Sequence, residues 1–165
     1  MSSTSFSWSS IFSPLQHTTI AGATLIGPRL VLGAAHCANA DTKFRVGAYD
    51  NQEDGYEVAI VDSVVHPNYS DDRYDHDVML FLIEEETPHP YIKPRKEEVT
   101  EGMLTVLGFG STQQIGPHLS STLQEVELEY LDNARCDEGH GGNGDITDDM
   151  MCAWERQKDS CIGDR

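Results

Sequence analysis

The apolar residues of this chain come in runs of about four to seven, and a turn-former cuts each run before a helix could close. TLIGPRLVLG holds two such runs around Gly27-Pro28-Arg29, the pattern of a hairpin or a tight connection between strands. FRVGAY (44–49) reads as a short half-buried strand, and EVAIVDSVV (57–65) as a valine-rich strand closed by His66-Pro67-Asn68. DVMLFLI (77–83) is a continuous apolar run, which predicts a strand buried on both faces. After the acidic, proline-bearing stretch EEETPHPYIKPRKEE, GMLTVLGFGS opens a second group of strands. In VELEY, Val126, Leu128 and Tyr130 alternate with glutamates at the strand period. CDEGHGGNGDITDDM (136–150) has neither period and reads as a loop. No repeat recurs at a fixed interval. Many short strands with frequent turns predict an all-β barrel or sandwich, with a linker near 84–101.

At 165 residues the chain has the length of one domain and enough apolar residues for one core. Its 28 acids against 11 bases give a net charge of −17. That balance argues against nucleic acid and anionic membranes as partners, because phosphate contacts need Lys and Arg gathered on one face. It favours cationic peptides or metal ions. No stretch approaches the ~20 apolar residues that span a bilayer, and the first residues lack the basic and apolar regions of a signal peptide. Four cysteines (Cys37, Cys136, Cys152 and Cys161) allow three pairings if all are oxidised. Without CxxC spacing or a His at zinc-finger intervals, no structural zinc is expected. DNQEDGYEVAIV places Asp50, Gln52, Asp54 and Gly55 near the first ligand positions of an EF-hand loop, but Val61 stands where the bidentate Glu belongs. That calcium loop is therefore rejected.

Two segments carry chemistry. GAAHC (33–37) follows a strand, so His36 sits at a strand end, where a side chain can face a cleft. Asp77 precedes the buried run DVMLFLI. A carboxylate beside an imidazole fixes its tautomer and stabilises the imidazolium, which makes a general base. Alone, each residue has an ordinary structural reading, a His closing a strand and an Asp in a turn. DSCIGD (159–164) weakens that reading. GAAHC, DVMLFLI and DSCIGD stand in the order found in the chymotrypsin/trypsin family of serine peptidases. VVHPNY, GFGST, LQEVELEYLDNARC and MMCAW also resemble the family's intermediate segments. The resemblance runs from about residue 6 to residue 164.

The resemblance implies two perpendicular β-barrels, at about 6–97 and about 101–165, with a cleft between them and the second barrel incomplete. It implies a serine endopeptidase with His36 as base and then acid, and Asp77 as its orienter. Asp159 would be the carboxylate that selects Arg or Lys, and Gly163 an oxyanion N–H donor. It also implies a Cys136–Cys152 disulfide, peptide substrates with basic residues, a secreted monomer and no cofactor or metal. Departures accompany it. Arg165 stands where the family has its serine, and a guanidinium is no nucleophile at neutral pH. Loss of that group costs about 10⁶-fold in turnover, so the chain as it stands is expected to be inactive. Ala21 stands at the family's partner position for Cys37, which leaves Cys37 as a small buried hydrophobe. Residues 1–20 show no Ile-Val-Gly-Gly-like start. The reading is a fragment or incomplete gene product of such an enzyme; the alternative is a non-catalytic homologue that binds proteins. His76, beside Asp77, is expected to be exposed, and the remaining histidines show no readable metal or triad spacing.

Overall fold

The computed structural model describes residues 11–13, 22–38, 43–50, 52–110 and 120–155. Ten strands and one short α-helix are found among them. In chain order the strands are β1 (Ile11–Ser13), β2 (Thr24–Gly27), β3 (Leu30–Gly33), β4 (Lys43–Val46), β5 (Tyr56–Val58), β6 (Ile60–Val65), β7 (Met79–Ile83), β8 (Met103–Gly108), β9 (Gln124–Leu131) and β10 (Cys152–Trp154). Helix α1 (Asn133–Gly139) lies between β9 and β10. The strands form three antiparallel sheets, ordered β1-β4-β5, β2-β3-β7-β6 and β10-β9-β8. The all-β expectation holds, and no strand or helix falls between Ile83 and Met103.

Strands β2, β4 and β7 keep the burial alternation of their sequence. Gly27-Pro28-Arg29 does close the β2–β3 hairpin, with Gly27 opposite Leu30. Leu25, Val31, Phe44, Val46, Met79 and Ile83 are almost wholly buried and make one core between the first two sheets. Phe44 and Phe81 meet edge to face there, with centroids 5.1 Å apart. A second, smaller cluster joins Ala48 to Phe109, with Leu123 packed against it. The Leu123 N–H donates to the Tyr49 carbonyl (2.8 Å), which ties β9 to the end of β4. The segment after β7 is strapped to the second sheet by backbone bonds from Thr87 N–H to Pro28 O and from Ile92 N–H to Leu25 O (both 3.0 Å). Gly47 is required where it stands: its φ is +75°, and a Cβ there would run into the His89 ring.

Three expectations are corrected. EVAIVDSVV is two strands: β5 pairs with β4 and β6 with β7, and the chain changes sheet at Ala59. Its valine richness reflects β propensity more than burial, since Val61 and Val64 on the edge strand β6 are exposed. DVMLFLI is buried on one face only. Met79, Phe81 and Ile83 point into the core, whereas Leu82 is 36% exposed. The start of CDEGHGGNGDITDDM is helical. Asp132 caps α1 by accepting the Arg135 N–H (3.0 Å), and seven residues are too few to display a helical period.

The Cys136–Cys152 disulfide is formed and pins α1 to β10 across 16 residues of sequence. Cross-linking a loop of that size removes unfolded-state entropy worth about 3 kcal/mol. Cys136→Ala with Cys152→Ala is expected to lower unfolding free energy in urea by about that amount. An unchanged midpoint and slope would contradict it. Beyond α1, Asp137 organises the following loop by accepting backbone N–H bonds from Gly144 (3.1 Å), Asp145 (2.9 Å) and Ile146 (3.3 Å). The Gly144 bond chiefly, then that of Ile146, holds its carboxyl below the ordinary range, against a smaller upward push from burial. A depressed folded pKa contributes stability above the unfolded value near pH 4 and loses it as pH falls through the folded value. Amide protection at residues 144–146 is therefore expected to fall selectively below about pH 4. Protection that stays constant through that range would refute the assignment.

Candidate active site

Sheet register explains how two residues 41 positions apart come together. In the β3–β7 pair, Gly33 lies opposite Met79, so the exit of β3 and the entry of β7 share one edge of the sheet. Residues just after Gly33 and just before Met79 must then meet. Gly33 permits this close approach, since a Cβ on it would stand 3.0 Å from the Phe81 ring. Ala34 is extended (φ −84°, ψ 139°), and Ala35–Cys37 wind one 3₁₀ turn that buries Ala35 and Cys37 and leaves His36 at the surface. On the other side the Val78 N–H donates to His76 O (2.7 Å), closing a three-residue turn centred on Asp77.

Asp77 holds His36 at two points. Its Oδ2 lies 2.7 Å from His36 Nδ1, and its Oδ1 accepts the His36 backbone N–H at 2.9 Å. With Nδ1–H directed at the carboxylate, Nε2 is the ring nitrogen left to accept a proton. The side chains are 29% and 22% exposed, so the pair is open enough for a reactant and sheltered enough to keep its geometry. Tyr74 stands edge-on to the imidazole, with centroids 5.9 Å apart and planes at 84°. Cys37 is buried as expected and is the free cysteine among the described residues. Burial, and then the nearby Asp77 charge, push its thiol pKa up, which keeps it a neutral packing group. Nearby, the Tyr69 hydroxyl donates to Asp71 (2.9 Å), and burial followed by that bond pushes the phenol up to about 12.

His76 departs from its expected exposure. It is half-buried, stacked on His66 (centroids 4.8 Å apart), with Nε2 3.0 Å from Asp149 Oδ2. Tyr74 and His76 both take left-handed backbone angles, with φ of 53° and 52°. These angles fold the short Arg73–Asp77 segment tightly against the loop before β10. Tyr74, Asp75 and Asp149 thus belong to the surroundings of the pair, although their spacing along the chain signals nothing. Asp159, Gly163 and Arg165 lie outside the described residues. The residues of the rejected EF-hand pattern act within their own turn: Asp54 Oδ1 accepts N–H bonds from Tyr49 and Asp50, and Asp50 Oδ1 that of Gln52.

Comparison with known proteins shows the family of the chain. The family described as Trypsin matches residues 2–165. Among curated relatives, Trypsin-4 of Rattus norvegicus is 31% identical over 153 residues, covering 87% of this chain and 61% of that protein. Trypsin II-P29 of Gallus gallus is 33% identical over 154 residues, with the same 87% and 61% coverage. Venom serine protease Bi-VSP of Bombus ignitus is 29% identical over 164 residues, covering 87% of this chain and 45% of that protein. The chain thus spans about three fifths of the length of the two trypsins. A match over nearly every residue, on an all-β framework, shows that this chain belongs to the trypsin family of serine peptidases and has its chymotrypsin-like fold.

Proposed function

We propose that the chain is the His–Asp half of a trypsin-type endopeptidase. His36 takes the proton of a serine hydroxyl through Nε2 and returns it to the leaving amine. Asp77 orients the ring and balances the charge it acquires. The observation that carries this reading is the two-point hold of Asp77 on both the ring and the backbone of His36 (2.7 and 2.9 Å). That hold fixes the tautomer and the ring plane together. The Cys136–Cys152 disulfide supports an oxidising, extracellular setting. No helix among the described residues is long and apolar enough to cross a membrane.

Asp159 is proposed as the anchor for Arg or Lys before the scissile bond, and Gly163 as an oxyanion donor. Arg165 stands in the sequence where the family has its serine, so the chain as it stands, a monomer in this reading, does not cleave. The test compares two proteins on peptides ending in an Arg or Lys amide bond. The 165-residue chain is expected to release no product. A form whose reading frame continues after Asp164 as Ser-Gly-Gly-Pro is expected to cleave after Arg and Lys. Asp159→Ser should remove that preference without unfolding the protein. Cleavage by that form with no preference for basic residues would refute the specificity assignment. Transcripts that never encode the serine would favour the reading suggested by Arg165, a non-catalytic homologue that holds a protein partner in the cleft.

A further inference from the structure

The turn before Asp77 and the loop before β10 meet in a cluster to which proteolysis assigns no role. Asp75, His76 and Asp149 each bring a metal-ligating atom, and these atoms lie within 4.8 Å of one another. Their hydrogen bonds assign them different tasks. His76 Nε2 is 3.0 Å from Asp149 Oδ2, so in the neutral ring this nitrogen carries the proton and donates it to Asp149. Nδ1 is then a bare lone pair. It is buried, has no hydrogen-bond partner among the described residues, and faces Asp75 Oδ2 at 3.7 Å. In the neutral ring two acceptors then oppose each other across that gap, and either a second ring proton or a cation would satisfy the buried nitrogen. The other oxygen of Asp75 is occupied by the Thr147 hydroxyl (2.7 Å), which fixes the plane of the carboxylate.

We propose that a divalent cation of the zinc class sits between His76 Nδ1 and Asp75 Oδ2. Two ligands each about 2.1 Å from an ion, at an angle somewhat wider than tetrahedral, stand about 3.7 Å apart. The cluster supplies that spacing without rearrangement. Each direct ligand already has the outer partner that metal-bound groups use, Asp149 on the far nitrogen of the imidazole and Thr147 on the far oxygen of the carboxylate. An imidazole donor selects zinc or its neighbours over calcium and magnesium, which take oxygen ligands. The surrounding acidity, −17 over the chain, attracts any cation. Bound there, the ion ties the turn that carries Asp77 to the loop before β10, in parallel with the Arg73 guanidinium on Gly144 O (3.0 Å). The site stands apart from the hydrolytic reading and survives or fails without it.

The test is calorimetric titration of zinc chloride into the 165-residue protein, with thermal unfolding beside it. The expected result is one zinc per chain at this site, a higher Tm with zinc, and no displacement by excess calcium. Asp75→Asn and His76→Asn should abolish that binding, and Asp149→Asn should weaken it about tenfold as an outer partner. Asn suits position 76 because it tolerates the φ of 52° there and offers zinc no imidazole. Asp75→Asn keeps an oxygen for the Thr147 bond, so a second variant remains folded if the first does not. His36→Ala should leave binding intact. No zinc binding, undiminished binding in folded His76→Asn, or loss with His36→Ala instead would overturn the proposal.

Discussion

Asp77→Asn, placed in a form of the protein that carries the serine after Asp164, is expected to lower kcat about 10⁴-fold, the known effect of a mis-set tautomer in a Ser–His–Asp triad. The amide can still accept the His36 backbone N–H through its oxygen. Its NH₂ group then faces Nδ1, now 2.7 Å from a carboxylate oxygen. To accept from that donor, Nδ1 must surrender its proton, which moves to Nε2 and removes the lone pair that the reaction needs. The fold should survive, because the two side chains remain isosteric and partly exposed. Steady-state kinetics with matched unfolding curves check both halves. A loss under about tenfold would show that Asp77 does not set the tautomer.

Phe81→Ala is expected to cost about 4 kcal/mol, the largest stability effect of any change argued for this chain. Phe81 is 4% exposed, stands edge-on to Phe44, and packs against Gly33, where β3 turns toward His36. Removing the ring leaves a cavity beneath the strand ends that bring His36 and Asp77 together. Because a domain has only about 5–15 kcal/mol in total, much of the chain should be unfolded under mild urea. Urea unfolding of the variant measures this, and a cost under about 1 kcal/mol would mean that the core closes over the gap.

The difference between what the sequence reveals and what it hides has a physical cause. Strands announce themselves through period-two burial, so β2, β3, β4, β7 and β9 can be read from Leu25, Val31, Phe44, Met79 and Leu128. The His36–Asp77 pair is also legible, because each residue lies beside a strand end and the motifs around them resemble a known family. What stays hidden depends on distance in space without a local pattern. The switch of sheet at Ala59 leaves no break in an apolar run. Helix α1 is shorter than two full turns of pattern, and its one signal, Asp132 three residues before Arg135, is common in loops. His76 was expected to be exposed because nothing nearby in sequence indicates that Asp149 will reach it. The left-handed backbone at Tyr74 and His76 accompanies that contact.

General-base action by His36 depends on which ring nitrogen holds the proton when the ring is neutral. Nitrogen-15 NMR of the 165-residue chain, with His36 labelled and assigned, reads this directly without any serine. The expected spectrum shows Nδ1 protonated and Nε2 bare, and Asp77→Asn moves the proton to Nε2. A proton already on Nε2 in the parent chain, or a spectrum that Asp77→Asn leaves unchanged, would contradict the proposal that this carboxylate prepares a base.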